Sequence, residues 1–130
     1  MDIRKHALSQ TGTIELHDGA DNPLLDDNGK PVCVHVYSPG SREYLAAEKA
    51  RDDKMLQAMR KKNGTVDNYA ARVEFLVAVT KGFDGIEFDD LKGAALYRAV
   101  YSEPTLRFVA DQVFNYVNDH ANFTKPSGKS

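Results

Sequence analysis

The sequence predicts an α+β fold, mainly α, in which an N-terminal β-ribbon of two to three short strands precedes a four-helix, bundle-like region. Three observations predict it. Residues 1–40 are punctuated by Gly12, Gly19, Pro23, Gly29, Pro31, Pro39 and Gly40, residue types that interrupt regular elements. Between those marks, two runs alternate apolar and polar side chains with a period of two. From Ser41 onward the apolar residues recur at helical spacing instead.

The first strand is expected over Thr13–His17 and the second over Pro31–Tyr37. The second run places Val32, Val34 and Val36 on one face and Cys33, His35 and Tyr37 on the other. Asp26-Asp27-Asn28-Gly29 reads as a tight turn, because Asn-Gly tolerates the positive φ such turns require. Ser41 is placed to cap a helix over 41–62. Its apolar stripe is thin: Tyr44, Ala47, Met55 and Met59, with Leu45 and Leu56 beside them. Asn63-Gly64 is expected to end it. A second helix is expected from a Thr65 cap to about Lys81, with Val66, Tyr69, Ala70, Val73, Leu76, Val77 and Thr80 on its apolar face. Ile86-Glu87-Phe88 then forms an extended link. Asp89 or Asp90 caps a third helix, apolar nearly all round through Leu91–Tyr101 and so expected to be buried and central. The fourth, about 104–121, begins at Pro104 and turns Leu106, Val109, Ala110, Val113, Phe114 and Val117 inward. Residues 1–123 are expected to form a single domain, and 124–130 a loose tail.

The chain has 130 residues, 42% hydrophobic and 28% charged, which is enough apolar material for a core and too much for a disordered chain. Cys33, the single cysteine, excludes an internal disulfide. The sequence carries no secretory signal pattern and no apolar run near 18 residues, so a cytoplasmic protein is expected. The net charge is −2, yet residues 41–62 hold seven basic and four acidic residues, leaving −5 for the remainder. A basic helix meeting an acidic neighbour would help to set register in a homo-oligomer.

Motifs for chemistry are sparse. An EF-hand loop around Asp26 would require an acidic ligand where Leu24 stands and a glutamate near Cys33. Gly128-Lys129-Ser130 resembles the end of a phosphate-binding loop, but the template's first glycine falls on Phe123. Cys33, His35 and His17 lack the paired spacing of a metal site. Asp52-Asp53 and Asp89-Asp90 are adjacent carboxylates that point apart on a helix. Neither a catalytic site nor a metal or cofactor is predicted. Arg60-Lys61-Lys62 with Arg51 and Lys54 form a basic cluster. Helices three and four, joined by Tyr101-Ser102-Glu103-Pro104, have the order of a helix-turn-helix. The second of them offers Arg107 together with Asp111 and Asp119, a poor surface for phosphates. The candidate oligomer or partner interface is therefore Tyr44, Leu45, Arg51, Met55, Leu56, Met59, Arg60, Lys61 and Lys62, where methionines suit adaptable surfaces.

The order of these segments is distinctive. A turn Pro23-Leu24-Leu25-Asp26-Asp27-Asn28-Gly29-Lys30-Pro31-Val32 precedes Ser41-Arg42-Glu43-Tyr44 at the start of a long charged helix. Val79-Thr80-Lys81-Gly82-Phe83-Asp84-Gly85-Ile86 and a Leu96-Tyr97 helix follow. Tyr101-Ser102-Glu103-Pro104-Thr105-Leu106-Arg107-Phe108-Val109-Ala110-Asp111-Gln112-Val113 and Asp119-His120-Ala121-Asn122-Phe123 close the pattern. Over nearly the whole chain this resembles the tail assembly chaperones of lambda-like long-tailed bacteriophages (siphophages), with Phe83 where a Trp is common. The resemblance implies a non-enzymatic protein that binds and solubilises the tape measure protein and promotes tail tube assembly. It implies further that tail tube protein is recruited through a longer, frameshifted form. The Ser127-Gly128-Lys129-Ser130 segment is compatible with such a slippery site. The implied place of action is the host cytoplasm, with no presence in the mature virion. The alternatives are a structural or joining minor tail component and a helix-turn-helix DNA-binding regulator.

Overall fold

The structure, a computed structural model, describes residues 1–61 and 67–124. A short 3-10 turn (Ile3–His6) leads into β1 (Thr11–Glu15) and β2 (Cys33–Tyr37), followed by α1 (Arg42–Arg60) and α2 (Asn68–Val79). Then come β3 (Thr80–Asp84), α3 (Gly93–Ser102), a 3-10 turn (Pro104–Leu106), α4 (Arg107–Val117) and a last 3-10 turn (His120–Phe123). The expected Thr65 cap, Val66, Asn63-Gly64, Lys62 and the tail from residue 125 lie outside the described residues.

The three strands form one antiparallel sheet in the order β1-β2-β3. Strand alternation does the positioning: Ile14, Leu16, Val32, Val34 and Val36 are buried, because side chains two apart share a face. Thr13 pairs with His35 and Glu15 with Cys33 on the opposite face. The first strand starts two residues earlier than its alternation suggests. Leu16 nevertheless continues the pairing, donating its N–H to the Val32 carbonyl at 2.9 Å. The Asp-Asp-Asn-Gly turn forms as expected. Asp26 accepts from the Asn28 and Lys30 amides at 2.8 and 3.0 Å, and Gly29 takes φ +77°.

The third strand comes from a different place than the sequence suggests. Residues 80 and 81 leave the expected second helix and enter β3, where Thr80 pairs with Val36 of β2 and Lys81 falls at a register shift. Thr80 donates its hydroxyl back to the Leu76 carbonyl at 2.7 Å, closing the helix on the residue where the chain turns extended. Phe83 is then held against the rings of Tyr97 and Tyr101, with centroids 4.6 and 5.7 Å away. A central β2 with buried valines needs partners on both edges, and β3 supplies the second.

The helices form with partly different caps. Ser41 accepts from the Tyr44 amide at 3.1 Å, as expected. α2 starts later than expected, with Asp67 as its cap, accepting from the Ala70 amide at 3.0 Å. α3 starts after Lys92 with no side-chain cap, so neither Asp89 nor Asp90 serves. It is also not buried all round: Leu96, Val100 and Tyr101 are buried, while Ala94 and Ala95 are exposed, as is Leu91 ahead of the helix. Alanine fits either environment, so its presence cannot identify a central helix. That place belongs to α2, which packs against α1, α3 and α4. The expected helix over 104–121 is divided: Pro104–Leu106 form a 3-10 turn, Leu106 leaves helical geometry at φ −110°, ψ 21°, and Asp119 turns extended at φ −110°, ψ 105°. Asp119 then caps the last turn through the Ala121 amide. Sheet and helices share one core that includes Val34, Val36, Leu76, Val79, Tyr101, Val113 and Val117.

Candidate functional site

Helix α1 has two halves with different surroundings. In the first, Tyr44 and Ala47 are buried against α2. The Tyr44 ring meets Phe75 edge-on at 5.4 Å. The Arg51 guanidinium lies 4.5 Å from the centroid of the same Phe75 ring, a cation–π contact that fixes its stem on α2. Burial raises the Tyr44 phenol above its ordinary value, reinforced by the nearby Glu48 carboxylate and opposed by Arg51. These two members of the expected interface thus hold α1 to the body.

The second half presents its apolar residues to solvent. Leu56 is 51% exposed and Met59 72%, with Met55 beside them at 39%. Their spacing, 55, 56 and 59, keeps them on one side of the helix, where residues three and four apart are neighbours. Leu45, 58% exposed, continues the stripe toward the N-terminus. Arg60 and Lys61 close this end, both exposed, where the helix dipole favours positive charge. Lys49 and Asp53 form an i, i+4 ion pair at 2.9 Å, and Asp53's hydrogen bond raises the Lys49 pKa. Lys54 lines the shallow α1–α2 groove with Ala47, Ala50, Ala71, Glu74 and Ala78.

A second surface is assembled by two loops distant in the chain. Leu25, Asp26, Asp27, Asn28, Gly85 and Glu87 line one open depression. Glu87 also lines its neighbour, with Asp89, Asp90, Leu91 and Lys92. Gly85, at φ +83°, lets the backbone pass close to Asp26: a Cβ there would stand 3.3 Å from that side chain. Leu25 and Leu91 are exposed within this acidic surround. No local pattern joins these two loops, because only β3, which pairs with β2, brings them together.

The exposed sheet face carries a polar row. His35 Nδ1 lies 3.0 Å from Thr13 Oγ1, and His35 Nε2 lies 2.6 Å from Asp84 Oδ2. Cross-strand pairing places these three side chains together, and Asp84 enters only through β3. Cys33, half-buried beside them, donates to the Pro31 carbonyl at 3.5 Å. Its thiol is pushed up by burial, then by Glu15 and Asp84, which lowers its thiolate character. His17 is elsewhere, its amide and carbonyl clamped by the Gln112 side chain at 2.8 and 2.7 Å. Among the described residues no group of three or more His, Cys, Asp or Glu side chains is arranged to hold a metal ion.

No protein-family model, curated protein or solved structure matches this chain. The site therefore stands on its own geometry. Within it, Asp111 is bound to Arg72 at 2.7 Å, so α4 offers exposed Arg107 beside an internally neutralised pair. Among the described residues no helix is long and apolar enough to cross a membrane.

Proposed function

We propose that this chain is a non-enzymatic assembly chaperone for bacteriophage tails, binding apolar helical segments of the tape measure protein along α1 and keeping them soluble. The observation that carries the reading is the Met55, Leu56, Met59 stripe, apolar and exposed on the second half of a helix whose first half buries Tyr44 and Ala47, with Leu45 exposed nearer its start. A client helix laid along it would bury apolar surface worth about 25 cal/mol per Å². Methionines accommodate varied client side chains, and repeated weak sites along an extended client would act together. In this reading tail tube protein is a second partner, engaged through a longer frameshifted form. The chaperone works in the host cytoplasm and leaves before the virion is complete.

The test is co-expression with a tape measure protein. The expected result is a soluble complex containing both chains, lost when Met55, Leu56 and Met59 are all changed to serine. The reading fails if the client is equally insoluble with and without this chain. Recovery of the chain from purified virions would favour the joining or minor tail component instead.

A further inference from the structure

We infer that the client helix laid on α1 carries one lysine or arginine beside its apolar anchors, and that Glu48 and Asp52 read it. The inference rests on the function proposed above and narrows its client from any apolar helix to one with this charge in register. It comes from the spacing of residues along α1. Tyr44, Ala47, Arg51 and Lys54 follow one another at intervals of three, four and three residues and face α2. Tyr44 and Ala47 are buried there, and Ala47, Arg51 and Lys54 line the α1–α2 groove. Leu45, Glu48, Asp52, Met55 and Met59 repeat that spacing one residue further on and face solvent. Side chains spaced in this way form a seam that a second helix matches at a shallow crossing angle. Its apolar members are exposed, and the Glu48 and Asp52 side chains are 40% and 65% exposed, within reach of a partner.

A side chain from a facing helix enters a hole made by four residues of the seam. On α1 the hole of Asp52, Met55, Leu56 and Met59 is apolar on three sides. The next hole toward the N-terminus is made by Glu48, Arg51, Asp52 and Met55. Arg51 is held over the Phe75 ring at 4.5 Å and reaches Glu48 and Asp52 only at 3.8 Å each, beyond hydrogen-bond length. One guanidinium against two carboxylates leaves a single negative charge at this hole. Lys49 is already engaged by Asp53 at 2.9 Å. An apolar side chain here would desolvate that charge with nothing in return. A lysine or arginine pairs with it and lays its stem along Met55. A client out of register sets leucine on the carboxylates, so the same hole fixes alignment and rejects uniformly apolar helices. A second copy laid parallel and in register would set Glu48 on Glu48 and Asp52 on Asp52, so like charges turn the seam away from itself. The client's charge and its nearest apolar anchor are thus one seam step apart on its own helix.

The test titrates the full chain into labelled three-heptad peptides held at trace concentration, with binding read by fluorescence anisotropy. The peptides carry leucine at every seam position except the central one, which is lysine, leucine or glutamate. The lysine peptide is expected to bind about tenfold more tightly than the leucine peptide, the size of a modest interfacial charge pair, and the glutamate peptide most weakly. Glu48→Gln with Asp52→Asn should bind the lysine and leucine peptides alike, with unchanged circular dichroism. Glu48→Lys with Asp52→Lys should invert the order and prefer glutamate. Three results would each overturn the inference: a leucine peptide that binds wild type as tightly as the lysine peptide, a lysine preference that survives in the neutral variant, or no binding of any peptide. If a variant fails to fold, the order of the three peptides on the wild type decides alone. The client reading is judged apart, by co-expression. A chain that solubilises the tape measure protein without a lysine preference loses this inference and keeps that reading.

Discussion

Tyr101 joins three elements through one buried hydroxyl. Thr80 gives its single hydroxyl proton to the Leu76 carbonyl, so the 2.6 Å contact with Tyr101 has Tyr101 as donor. Tyr101→Phe removes that bond and leaves Thr80 satisfied, so stability should fall by about 1 kcal/mol in urea unfolding. Burial raises the phenol pKa above its ordinary value of 10.0, more than the Thr80 bond lowers it. A group whose folded pKa is raised stabilises fully below its unfolded pKa and loses that contribution as pH rises past it. The gap between wild type and Tyr101→Phe should therefore narrow above pH 10. The opposite sign belongs to Glu74, which accepts from Arg98 at 2.7 and 2.8 Å. The Arg98 hydrogen bond holds its carboxyl below the ordinary value of 4.5. Both side chains are well exposed, so Glu74→Gln should cost at most about 1 kcal/mol at neutral pH. That cost should vanish as pH falls below the usual carboxylate range, since a depressed pKa stabilises only while the group is ionised. Neither partner choice was legible in sequence: Tyr101 meets Thr80, and Glu74 meets Arg98, only once the helices are packed.

At the scale of elements, α1 separates packing from function along its length. Phe75→Ala removes the ring that receives both Tyr44 and Arg51 and should destabilise by about 3–5 kcal/mol. The triple change of Met55, Leu56 and Met59 to serine touches exposed positions and should shift stability by only about 0.5 kcal/mol per site. Urea unfolding of both variants, beside the co-expression assay, distinguishes a stable chain without client binding from one that simply unfolds. The helix itself was legible because Ser41 supplies a local cap and the apolar residues keep a helical period. The exposed stripe was legible too, as methionines and leucines among charges. Tyr44 and Arg51 share the sequence pattern of that stripe, and only Phe75, a residue on another helix, separates them from it. β3 was unreadable for a related reason. Thr80 and Lys81 extend the helical pattern of α2, and only pairing with β2 makes them a strand, where context outweighs propensity.

At the scale of the whole molecule, the described ends of the chain close over the sheet. β1 is an edge strand, and the last 3-10 turn lies beside it: Ser9 donates its amide to the Phe123 carbonyl at 2.7 Å. Leu8 pairs with Thr124 in an isolated bridge, and the buried Phe123 ring meets Tyr116 edge-on at 5.2 Å. Gly12 is what admits that ring, since a Cβ there would stand 2.7 Å from Phe123 Cε1. Phe123→Ala should therefore cost about 3–5 kcal/mol and uncover a strand edge that templates aggregation. Gly12→Val should cost about 1–3 kcal/mol by overpacking, although a β-branched residue otherwise suits a strand. Because both act on one volume, their costs should not add. In the double variant the valine occupies space the ring has left, so it should be more stable than Phe123→Ala alone in urea unfolding. Additive costs would mean that the turn and β1 are held independently, and that Phe123 does not latch the strand.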